Sequence, residues 1–105
     1  MEEIDIIKSK IHEIRGEPVM LDSDLAELYG VATKNLKRQV RRNAIRFPEV
    51  FMFELTPEEF SLLRCHFGTS KERGGNQYLP FAFTASGIAI LSSVLTSETA
   101  AMANI

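Results

Sequence analysis

Between Lys34 and Arg46 the chain carries six basic side chains, Lys34, Lys37, Arg38, Arg41, Arg42 and Arg46, and no Asp or Glu. Cations at this density are groups for holding phosphate, and gaps of three and four residues put them on one face of a helix. Asn35 and Gln39 are amides of the kind that pair with adenine, whereas Arg and Lys pair with guanine. The chemistry on offer is recognition of a polyanion, with the division of these side chains between phosphate and base edge left open. Lys71 and Arg73, in the glycine-containing stretch Gly68 to Gln77, are further candidates for backbone phosphate, in the manner of a wing. A flexible polar connector accounts for that stretch equally well.

The cluster is concealed by the overall balance. The chain has 12 Lys and Arg against 14 Asp and Glu, a formal net charge of -2; without the six basic residues of positions 34 to 46 the remainder carries 6 against 14, or -8. An acidic body with one concentrated basic face implies a directed contact rather than general adhesion. At 105 residues the chain makes one domain, and an apolar fraction of 45% with 25% charged residues is that of a globular protein. No apolar run approaches membrane-spanning length and the acidic start is not a secretory signal, so a cytoplasmic location is expected, with no membrane contact.

Several elements must position the cluster. Leu21 to Phe47 reads as two short helices joined by a tight turn. Asp22 stands where an N-cap belongs, with Asp24 in the first turn; Leu25, Ala26, Leu28 and Tyr29 supply the inner face, Gly30 ends the helix, and Thr33 can cap the next. Counting about 100° per residue from Lys34, Leu36, Val40 and Phe47 fall at about 200°, 240° and 220°, while Lys34, Lys37, Arg38, Arg41 and Arg42 lie between about 300° and 80°. Asn35, Gln39 and Asn43 form a stripe between these faces. The small Ala26 and the turn glycine Gly30 suit a helix-turn-helix, with residues of about 34–46 as its recognition helix in a major groove.

Around this pair, Ile11 to Arg15 and Pro18 to Leu21 read as a hairpin with Gly16 first in a type II′ turn. Phe51 to Leu55 reads as a strand, and Thr56-Pro57-Glu58-Glu59 as a capping box opening a helix that runs through Phe60, Leu62, Leu63 and Phe67. Tyr78 to Phe83 is extended, and Pro80 within it argues for an edge or bulged strand. Thr84 caps a deeply buried helix carrying Ile88, Ile90, Leu91, Val94 and Leu95, and Ser97-Glu98 begins a last one. Residues 2 to 10 fit a short strand or a helical turn.

Catalytic and metal chemistry find little to work with. Helix capping accounts for Asp22 and Asp24, and the adjacent Cys65 and His66 point about 100° apart on a helix with no third partner. One Cys and two His do not assemble a zinc site, so no catalytic residue, metal or cofactor is expected. Phe51, Phe53, Phe60, Phe67, Tyr78, Phe81 and Phe83 lack interleaved basic residues and read as core rather than as stacking platforms.

The order VMLDSDLAELYGV, then NLKRQVRRNAIRFPEVFMFELTPEEF, then GGNQYLPFAFTASGIAILSSVL resembles the KilA-N-like DNA-binding domains of phage and prophage proteins, and among them the antirepressor-associated ORF-six-N subgroup. The likeness covers roughly positions 8 to 105. Leu21-Asp22 and Leu25 to Val31 match the first helix and turn, and Lys37, Val40, Arg42, Asn43 and Arg46-Phe47-Pro48 match the second. The resemblance implies a compact DNA-binding domain, often N-terminal to a variable second domain in antirepressor-type regulators, with no catalytic residues to carry over.

The expectation is an α+β domain with a helix-turn-helix-like pair, short antiparallel strands and packed C-terminal helices, serving transcription regulation as a double-stranded DNA-binding module. A second copy, a repressor or a further C-terminal domain are the protein partners it allows. The alternative is a protein-interaction module whose basic helix docks an acidic partner such as a repressor.

Overall fold

A computed structural model describes the backbone of residues 8–67 and 79–103 and the side-chain surroundings of 8–63 and 79–96. The expectations for residues 2–7, for Lys71, Arg73 and Tyr78, and for the side chains of Cys65, His66 and Phe67 lie outside the described residues. The elements run β1 (Ile11–Ile14), β2 (Glu17–Leu21), α1 (Asp22–Tyr29), α2 (Thr33–Arg42), a 3-10 turn (Ala44–Arg46), β3 (Met52–Glu54), α3 (Pro57–Phe67), β4 (Phe81–Phe83) and α4 (Ala85–Ala103). This is the expected α+β class.

The strands form one antiparallel sheet in the order β1-β2-β4-β3. Period-two alternation sorts its side chains onto two faces. Met20, Phe81 and Phe83 face a cluster completed by Leu25 and Ala26 of α1, Leu36 and Val40 of α2, Phe47, and Leu91, Val94 and Leu95 of α4. On the reverse face Ile14, Val19, Phe53 and Ala82 pack with Leu55, and Phe60 and Leu63 of α3 close over them. The helix pair is thus bound to the sheet through Leu36 and Val40, which are 0% and 2% exposed.

Four details differ from the sequence expectation. The hairpin loop is Arg15-Gly16, since Ile14 pairs with Glu17, and both loop residues have positive φ, 58° and 78°. That is the type I′ pattern rather than II′. Arg15 holds this left-handed conformation while its side chain spans to α3: Nε and one terminal nitrogen donate to Glu59 at 2.8 and 3.2 Å, and the guanidinium lies 4.0 Å from the Phe53 ring centroid. The pairing with Arg15 lowers the Glu59 carboxyl to about 2. Glu59 also completes the expected capping box, accepting from the Thr56 N–H at 2.8 Å while its own N–H donates to Thr56 Oγ1 at 3.1 Å.

Second, β4 is a central strand rather than an edge one. Pro80 precedes its first paired residue, so the missing N–H removes no ladder bond, and the Pro80 carbonyl accepts the Leu55 N–H at 2.9 Å. Third, α2 starts at Thr33 with Ala32 as its extended N-cap and no side-chain cap, so Thr33 is not the capping residue. Fourth, Ser97-Glu98 does not begin a new helix, because nothing between Ser92 and Glu98 breaks the old one and α4 runs unbroken to Ala103.

Thr84 does cap α4, its Oγ1 accepting the Gly87 N–H at 3.3 Å. Gly87 itself is a point of contact: a Cβ there would lie 2.0 Å from the Phe51 carbonyl oxygen, which already accepts the Thr84 N–H. The obstacle is backbone, not a side-chain tip that can swing away. Gly87→Ala is therefore expected to destabilise the fold by about 1–3 kcal/mol or more, against the usual gain from Ala in a helix. Urea unfolding checks it, and an unchanged midpoint would mean that α4 stands off from Phe51.

Candidate nucleic-acid interface

The first helix and turn form where the sequence expects them, but of the four residues expected on the inner face only Leu25 and Ala26 are buried, Leu28 and Tyr29 being exposed. Gly30 takes φ 71°, and its N–H and that of Val31 close back onto the last carbonyls of α1, the Val31 bond to Ala26 O measuring 2.9 Å. This turns the chain sharply enough for α2 to pack on α1 across the buried Ala26. At its other end α2 finishes at Arg42, where the Asn43 side chain donates to Gln39 O at 2.8 Å. A 3-10 turn follows, and Phe47 anchors the exit edge-to-face on Phe83, with centroids 6.0 Å apart.

The ten sequence candidates separate into groups. Lys34, Asn35, Arg38, Arg41 and Arg42 are exposed on one face of α2, which contains no Asp or Glu. Arg38 donates to Asn35 Oδ1 at 2.5 Å, and the Arg41 guanidinium lies 5.6 Å from the Phe81 ring centroid at the margin of this face. Arg46, beyond the helix end, is exposed but leans toward α4, its terminal nitrogen 3.4 Å from Ser93 Oγ. Lys71 and Arg73 are not among the described residues.

Lys37 and Gln39 are corrections to the opposed-face picture, since they are only 7% and 8% exposed. At about 300° and 140° they flank the buried stripe centred near 220°, close enough for the body of the domain to cover them. The Lys37 ammonium donates to Leu79 O at 2.8 Å, lies 3.5 Å from Asp22 Oδ2 and sits 4.7 Å from the Phe81 ring centroid. Asp22 in turn accepts the Phe81 N–H at 2.9 Å. Burial pushes the Asp22 carboxyl above its ordinary value, opposed by the Phe81 N–H and by Lys37.

Capping therefore does not explain Asp22. The N-cap position is held by Leu21, and Asp22, the first residue of α1, is the buried counterion that, with Lys37, ties both helices to the start of β4. The sequence signal was weak but present, in a lysine only about 60° from Val40 on the helix wheel. Asp24 is elsewhere, paired with Lys10 at 3.5 Å. One more residue escaped the sequence reading: Ile45, in the 3-10 turn beside Arg42 and Arg46, is 93% exposed.

The model of the ORF6N domain matches residues 9–94. The chain belongs to the ORF6N domain family. Membership makes it a phage-type regulatory domain, and the match spans both helices of the turn, the sheet and α4 as far as Val94. No curated protein and no solved structure matches it. Among the described residues of this ORF6N domain, no helix is long and apolar enough to cross a membrane and no group of three or more His, Cys, Asp or Glu could hold a metal ion.

Proposed function

We propose that the ORF6N domain is the double-stranded DNA-binding module of a phage-type transcriptional regulator or antirepressor, with α2 entering the major groove. The observation that carries this reading is the exposed face of α2, where Lys34, Arg38, Arg41 and Arg42 stand with Asn35 and no carboxylate on the helix, backed by buried Leu36 and Val40. A helix of 10 residues fits the groove, and its uncapped first turn adds the positive end of the helix dipole to the cationic face. The family's association with phage regulators supports the same reading. Lys37 and Gln39 are not contacts in it; both are buried, and Lys37 holds the helix from behind.

An amide chemical-shift titration with random duplex DNA tests the mode of binding. The largest shifts are expected at Lys34, Asn35, Arg38, Arg41 and Arg42, with β1 and the start of α3 nearly still. Shifts concentrated on β1 and α3 instead would overturn it.

A further inference from the structure

Resting on the reading that α2 enters duplex DNA, we infer that Arg38, held by Asn35, reads the edge of a guanine, so that the target carries a G·C pair opposite the centre of the helix. Arg38 lies at about 40° on the wheel, opposite the buried stripe near 220°, and is therefore the crown of the exposed face. Lys34 and Arg42 lie on either side of it at about 0° and 80°, suited to the flanking phosphates. Of the other cations, Lys37 is buried against Asp22, Arg41 is drawn over Phe81 and Arg46 toward Ser93. Arg38 alone among these side chains is fastened by a neighbour on the open face itself, through the 2.5 Å bond to Asn35 Oδ1.

A guanidinium has five N–H donors in a rigid fork. One is given to Asn35, and a pair remains for two adjacent acceptors. Guanine offers such a pair in the major groove, O6 and N7. Adenine puts an N–H donor beside its N7, and cytosine and thymine have no matched pair of acceptors. Asn35, by the same bond, is a positioning residue: its amide oxygen is turned to the Arg38 guanidinium. Holding the long Arg38 side chain before binding removes part of the ordering cost that otherwise blunts discrimination.

The test is selection of duplexes from a randomised pool by the 105-residue chain, followed by affinities for the selected duplex and for one with the central G·C pair changed to A·T. The wild-type chain should favour the guanine duplex by about 5- to 150-fold, the range for one bidentate pair. Arg38→Lys keeps the charge and loses the fork, so the ratio of its affinities for the guanine duplex and the A·T duplex should fall to a few-fold, whatever its affinity for random duplex. Asn35→Ala should lower the preference in the same way. Selected duplexes without a guanine, or a full preference retained by Arg38→Lys, would overturn the inference. Salt-dependent binding to random duplex with no preference would do so too, yet leave the DNA reading standing; no duplex binding by the wild type would overturn both.

Discussion

Lys37→Ala is expected to destabilise the domain by about 3–5 kcal/mol, the range for removing one partner of a buried ion pair. The substitution strands the Asp22 carboxylate, which is 3% exposed, and takes a donor from Leu79 O. Against a total stability of about 5–15 kcal/mol this is a severe loss. Lys34→Ala, three residues earlier on the open face, should cost no more than about 0.5 kcal/mol. The Lys37→Ala deficit should also depend on pH with a definite sign. Burial already raises the Asp22 carboxyl, and losing Lys37 raises it further, so the penalty is complete above that value and shrinks as acid protonates the group. Urea unfolding of both variants at neutral and acidic pH checks this; equal stabilities would show that the Lys37 side chain is not buried.

The second large effect concerns binding rather than folding. Arg38→Glu with Arg41→Glu replaces two cations by two anions on the exposed face, one at its crown and one at its margin, where like-charge juxtaposition with phosphate costs several kcal/mol. Duplex DNA affinity at low salt should fall at least about a hundredfold. The thermal midpoint should move by no more than about 4 °C, because neither side chain is buried. A loss of folding comparable to that of Lys37→Ala would mean instead that the face packs against the domain. Unchanged DNA affinity would remove α2 from the interface.

The contrast between Lys34 and Lys37 also shows how far this fold is legible in its sequence. Periodicity and punctuation were sufficient where local rules govern: Gly30 as the left-handed end of α1, the Thr56 to Glu59 capping box, and the opposition of Leu36 and Val40 to Arg38. They were insufficient where a distant element decides. Lys37 and Gln39 lie at the borders of the apolar stripe, and the side that Lys37 takes depends on Leu79 O and Phe81, contributed more than forty residues later. Asp22 looked like a cap because its acceptor role was visible and its partners, the Phe81 N–H and Lys37, were not. Pro80 suggested an edge strand, but one residue of offset leaves the ladder of a central strand intact. Gly87, a glycine inside a helical pattern, was itself a hint of close backbone approach, though only the fold shows the approach to be to Phe51. The cationic face was legible in full outline and overcounted by Lys37.

The central claim, that the open face of α2 holds the phosphates of duplex DNA, is tested most directly by the salt dependence of binding to a random duplex. With three or four phosphates neutralised by Lys34, Arg38, Arg41 and Arg42, a plot of log affinity against log salt should fall with a slope of about -3 to -4. Binding that does not change with salt, or no binding at low salt, would contradict it.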